Sequence, residues 1–170
     1  MVSEINNYAG IFADPSIRRT ILGIIPLYHF SGIHTVFNVG IATGATVVFV
    51  EKYSVSTLCH AIETFKVTSL PGAPPILIHL LNRPEVDKYD LSSLEQIGTG
   101  SAPIAPSVVT GVKEKFKTFV AQGYGMTETS PVITWQSPDW ARPDSIGRVV
   151  PCMQSKIIDV NGRGILSDFG

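Results

Sequence analysis

The chain has 170 residues, 44% of them hydrophobic and 16% charged, with a formal net charge of −1. That length supports one compact domain burying roughly 70% of its unfolded surface. The near-neutral balance gives no basic footprint for nucleic acid and no polybasic segment for a membrane surface, so small molecules are the expected partners.

The first residues lack the cationic start and apolar run of a signal peptide, and no apolar stretch approaches ~18 residues. A cytoplasmic chain without a membrane span is expected. Its end, Ser167-Asp168-Phe169-Gly170, is not a peroxisomal tripeptide. Cys59 and Cys152 lie far apart without CxxC spacing, which suggests neither a zinc site nor a disulfide and fits a reducing compartment.

Residues 1–20 are weakly patterned and read as a loop or short surface helix. Ile21-Leu22-Gly23-Ile24-Ile25, stopped by Pro26, has the form of a buried parallel strand. Tyr28, His29 and Phe30 then fall at its carboxyl end, where ligands bind in open α/β sheets. Ser31 is placed to cap a helix through Ile33, Val36, Phe37 and Ile41 that Gly40, Thr43 and Gly44 bring to an end. The β-branched run Ala45–Val50 reads as a buried strand. Ser54 or Ser56 caps a helix with Leu58, Ile62 and Phe65 on one face, Val67–Leu70 is a strand, and Pro74-Pro75 opens a helix over Ile76–Leu81. His34, His60 and His79 sit on these helices without metal spacing and are expected to be structural.

Leu94–Ile97 reads as a strand feeding Gly98-Thr99-Gly100-Ser101-Ala102-Pro103, whose small residues let a flat group lie on the backbone. Pro106 starts a helix through Val109, Val112 and Phe116, with Lys113, Lys115 and Lys117 on its solvated side. Phe119–Ala121 is a buried strand. Ile146–Pro151 and Ser155–Val160 read as later strands, with Asn161-Gly162 as a type I′ hairpin turn. The order yields an α/β fold, a doubly wound and mostly parallel sheet with flanking helices, over residues 21–140. A partial β region follows over 141–170, and 1–20 forms a separate N-terminal segment. Asp168-Phe169-Gly170 spells the kinase metal motif, but no catalytic-loop or glycine-rich-loop partner precedes it, so it is chance.

The densest chemistry lies in Gln122-Gly123-Tyr124-Gly125-Met126-Thr127-Glu128. Two glycines let the backbone approach a ligand closely. Tyr124 offers a flat ring, Thr127 a donor for a phosphate oxygen, and Glu128 a hard oxygen ligand for magnesium. On spacing alone an ordinary strand-to-loop exit after Phe119–Ala121 fits the stretch equally well.

This stretch resembles the signature of the adenylate-forming (AMP-binding) superfamily, of the 4-coumarate-CoA ligase, firefly luciferase and acyl-CoA synthetase type. Pro26-Leu27-Tyr28-His29, Lys88–Leu94 and Gly98–Pro103 agree with it in order and spacing, with Thr99 a modest departure. The resemblance covers about Gly23 to Asp159. It implies an acyl-CoA synthetase-like fold and a reaction that joins a carboxylic acid to ATP, then passes the acyl group to coenzyme A. On that scheme Gly100, Ser101, Ala102, Pro103, Gln122, Gly123, Tyr124, Gly125, Met126 and Thr127 hold the nucleotide. Thr127 and Glu128 are catalytic, Glu128 binds Mg2+, and His29 and Phe30 border the acyl pocket.

The family also carries a Ser/Thr/Gly-rich phosphate loop ending in Pro-Lys-Gly, a ribose-binding Thr-Gly-Asp motif and a C-terminal domain with a catalytic lysine. None is in this sequence. The chain therefore resembles the middle of the large domain of such an enzyme, and the isolated chain is expected to be inactive. The alternatives are a noncatalytic truncated isoform that associates with a full-length relative, or an amino-acid adenylation domain; Tyr28-His29-Phe30-Ser31 in place of a pocket aspartate argues against the latter. A luciferase is not separable by sequence, and the identity of the acid is not legible.

Overall fold

The computed structural model describes residues 19–151 and 153–161, and the backbone of 165–169. Five parallel strands form the centre: β1 (Thr20–Gly23), β2 (Thr46–Phe49), β3 (Ser69–Gly72), β4 (Gln96–Thr99) and β5 (Phe119–Gly125). Two antiparallel strands, β6 (Val132–Trp135) and β7 (Arg148–Val149), extend it to the order β2-β1-β3-β4-β5-β6-β7. β8 (Ser155–Ile158) and β9 (Ile165–Phe169) pair antiparallel as a separate ribbon. This is the doubly wound, mostly parallel sheet expected from the alternation of apolar runs and helical periodicity.

Helices cover both faces. A π-helix (Gly32–Asn38) continuing into α1 (Val39–Thr43) links β1 to β2 on one face. On the other lie α2 (Val55–Phe65), α3 (Pro74–Asn82) and α4 (Pro106–Phe116). The period-two alternation of the strands feeds this division: Leu22, Leu70, Ile97 and Val120 point into one core with Leu58, Ile62, Leu77, Leu80, Val109 and Val112. Alternate positions Ile21, Ser69, Pro71, Gln96 and Gly98 face the π-helix side and line a cavity. Burying a Leu or Ile side chain contributes about 1.5–3 kcal/mol, so the first face carries most of the stability.

The polypeptide leaves β1 toward β2, then returns to place β3 on the opposite side of β1. That reversal is the topological switch point of an open α/β sheet, where ligands bind. β1 and β3 share a single register pair, Ile21 with Ser69, whereas β3 and β4 pair along their length. The crevice opens where those two strands part.

Several expectations are corrected. The helix after His29 starts as a π-helix, and Ser31 makes no side-chain cap bond. Ser54, not Ser56, caps α2 by accepting from Thr57 N at 3.0 Å. Phe65 is 55% exposed rather than on the buried face with Leu58 and Ile62, and β2, at the edge of the sheet, is half-exposed rather than buried. Lys115 does more than solubilise: its Nζ pairs with Asp87 at 2.7 Å and donates to the Leu80 carbonyl, tying α4 to the 3-10 turn Pro84–Lys88 and the end of α3. The expected strand over 146–151 is only Arg148–Val149, and β6 was not anticipated. Gly162 of the expected hairpin turn, Cys152 and Gly170 lie outside the described residues. Among the described residues no helix is long and apolar enough to cross a membrane.

Candidate nucleotide and acid site

β5 carries the site. Sequence reasoning ended this strand at Ala121, but it runs through Gly125 because Gly123 and Tyr124 pair antiparallel with Trp135 and Thr134 of β6. The glycines are what permit this. A Cβ on Gly125 would stand 1.7 Å from the Pro131 carbonyl oxygen, and one on Gly123 would meet the Trp135 ring at 2.4 Å. Tyr124 N donates to the Thr134 hydroxyl at 3.2 Å, which fixes the strand while the ring remains 46% exposed at the cavity wall.

Past Gly125 the chain enters the 3-10 turn Thr127–Thr129. The Thr129 hydroxyl closes it, accepting from Met126 N at 3.1 Å and donating to Met126 O at 2.9 Å. Met126 and Thr127 line the cavity and are exposed to it. Glu128, on the same turn, is exposed and does not itself line the cavity.

The exit of β4 forms the adjoining wall. Gly100 approaches Gly123 so closely that an added Cβ would be 3.0 Å from the Gly123 oxygen. Ser101 follows with φ of +70°, a left-handed conformation costly for a residue with a Cβ, and such outliers concentrate at ligand sites. Gly100 and Ser101 line the cavity; Ala102 and Pro103 are exposed beyond its rim. Gln122 also stands away from it. Its side chain is buried and donates to the Pro143 carbonyl at 2.8 Å.

The segment between β1 and the π-helix brings His29 and Phe30, both on the cavity wall. His29 Nδ1 accepts from Ser31 N at 3.2 Å, so a neutral ring carries its proton on Nε2. Phe30 stacks on buried His34 with centroids 5.9 Å apart, and His79 bonds Tyr53 Oη at 2.6 Å. His60 is exposed on α2.

The cavity encloses about 290 Å³. Sequence reasoning missed Trp135, whose ring lies over Gly98 and Gly123 and forms the inner wall between β4 and β5. The run Val132-Ile133-Thr134-Trp135 carried the signal, since β-branched and aromatic residues favour strands. It also missed Gln136, a buried amide bonded to Gln122, Arg142 and Ser145.

The fold and this site define a switch-point ligand pocket with a glycine-lined, aromatic-bearing wall. A family model described as "AMP-binding enzyme" matches residues 1–168, and the chain belongs to that adenylate-forming family. The chain is 34% identical over 145 residues to the 4-coumarate–CoA ligase CCL1 of Humulus lupulus, covering 82% of this chain and 26% of that relative. It thus spans about a quarter of the length of the curated relatives it matches. Among solved structures, the amide bond synthetase McbA of Marinactinospora thermotolerans superposes with a TM-score of 0.81 at 29% identity, over 98% of this chain and 33% of that one. The O-succinylbenzoate coenzyme A synthetase of Bacillus subtilis, solved with ATP and magnesium ion, gives 0.75 at 25% identity over 95% of this chain and 33% of that one.

Proposed function

We propose that this chain supplies the adenylate-holding part of an ATP-dependent acyl- or aryl-CoA ligase, with the acid seated between the π-helix and the sheet. The observation that carries the reading is the junction of Gly100-Ser101 with Gly123–Thr127 at the mouth of one cavity whose far wall is formed from β1, β3 and β4. Backbone on two sides and the Tyr124 ring on a third suit a planar adenine.

Thr127 at the turn is the donor for the α-phosphate, and in-line attack there needs orientation and charge stabilisation more than covalent help. No cluster of three or more metal-ligating residues exists among the described residues. None is needed for Mg2+, which takes one or two carboxylates plus phosphate oxygens and water, so the exposed Glu128 fits as its one protein ligand. Bound there, the ion would neutralise phosphate charge. Gln122, Ala102 and Pro103 act from behind the wall, holding the platform's shape, and His29 and Phe30 border the acid. Coenzyme A is the acyl acceptor of the parent reaction.

The isolated chain is proposed to have no useful ligase turnover, because the phosphate loop, the ribose aspartate motif and the catalytic lysine domain are not in its sequence. Pyrophosphate release with a panel of carboxylic acids tests this. The expected rate is background; sustained turnover proportional to protein concentration would sink the claim. Co-purification with a full-length ligase would favour a noncatalytic association role instead.

A further inference from the structure

The far end of the cavity is polar and cationic, unlike its middle. Ser69 and Gln96 are register partners that open β3 and β4, and Arg19 immediately precedes β1, so all three stand at the amino-terminal edge of the sheet. Each lines the same cavity as Tyr124 and Thr127 at the carboxyl edge. The strands between are short: three residue steps from Ser69 to Gly72 cover about 10 Å. The stretch in between is apolar, walled by Pro71, Val39 and Trp135.

Arg19 is the anomaly. It is half-buried, and its guanidinium makes one long hydrogen bond, Nη1 to Gln96 Oε1 at 3.4 Å, to a neutral amide. Its Nε is shielded from solvent and has no acceptor. The ion pairs among the described residues are Lys66–Asp90, Lys115–Asp87 and Arg142–Asp144, and none involves Arg19. A shielded N–H without an acceptor is costly, and a guanidinium recognises a carboxylate in paired geometry. A tunnel meant only for a hydrocarbon tail would end in apolar side chains.

We infer that Arg19, with Gln96 and Ser69 beside it, is a specificity determinant that selects an acid bearing a second carboxylate at the end remote from the reacting one. The apolar stretch spans the linker between the two carboxyl groups. This deepens the ligase reading and rests on it for which carboxyl reacts, but the selection itself is a binding property of the cavity.

Octanoate and octanedioate have the same carbon chain and differ only at the remote end. Each is titrated into the isotope-labelled chain, with AMP as a separate probe, and backbone amide shifts are followed at Ser69, Gln96 and Tyr124. Octanedioate is expected to bind at least about tenfold tighter than octanoate, as one charge-assisted contact supplies. Arg19→Gln is expected to erase the preference. Gln96→Glu serves if that variant does not fold: it places a carboxylate against the guanidinium, and is expected to erase the preference while raising the melting temperature. Equal or better binding of octanoate, a preference that survives either substitution, or no shift at cavity amides with either acid overturns the inference. AMP shifts at Tyr124 report separately on the nucleotide reading. Their absence alongside a dicarboxylate preference would remove that reading and leave this one standing.

Discussion

Gln136 and Gln122 clamp each other across fourteen positions of sequence. Gln122 N donates to Gln136 Oε1 at 3.0 Å, Gln136 N donates to Gln122 O at 3.1 Å, and the Gln136 amide nitrogen also donates to the Arg142 and Ser145 carbonyls. One buried side chain therefore joins the strand that carries the signature residues to the loop behind it.

Replacing Gln136 with Leu keeps the volume but strands the buried Gln122 N–H, while the Arg142 and Ser145 carbonyls, on exposed and half-buried residues, can turn to water. A stranded buried polar group costs about 1–3 kcal/mol, so the expected loss is about 2 kcal/mol in urea unfolding. A loss under about 0.5 kcal/mol, the size of an ordinary surface change, would show that the clamp is dispensable.

Lys117 ends α4 in the left-handed region with φ of +51°. A side chain there is strained, whereas glycine is the common residue at helix ends of this kind. Lys117→Gly is expected to stabilise the chain by about 1 kcal/mol, read as a rise in melting temperature. A fall would mean that the lysine makes a compensating contact.

Asp90 is held well below the usual carboxylate range, from its ordinary 3.8 to about 2, by hydrogen bonds from the Ser92 side chain and backbone and by Lys66 at 3.0 Å. Because the folded value is depressed, its contribution is present above pH 3.8 and is lost as pH falls toward 2. Asp90→Asn is expected to flatten the stability profile in that window and leave the slope above pH 5 unchanged. An unchanged acid limb in the variant would place the titration elsewhere.

The parallel core was legible because buried strands and amphipathic helices write different periods into the sequence. Leu58 and Ile62 fell on the buried face as their spacing requires, and proline at the start of α3 and α4 marked both helices. The misreadings of β5, β6 and Lys115 share one cause, which is pairing at long range. Gly123 to Gly125 read as a loop because glycine is poor in strands, yet β6 supplies the partner that makes them one. Arg19 sits in a stretch without pattern, and its neighbour Gln96 is 77 positions away, so no local signal joins them. The segments that the resemblance names meet at one cavity, but which of their side chains face it was not legible: Thr127 lines it and Glu128 does not.

The most direct test of the nucleotide site is a titration of AMP into the isotope-labelled chain, with Tyr124→Ala as the companion variant. The expected result is millimolar, saturable shifts confined to Gly100–Ser101 and Gly123–Thr127, weakened at least about fivefold in the variant because base–aromatic stacking contributes about 1–3 kcal/mol. Shifts centred on other residues, or the same affinity without the ring, would contradict the assignment of this wall to adenine.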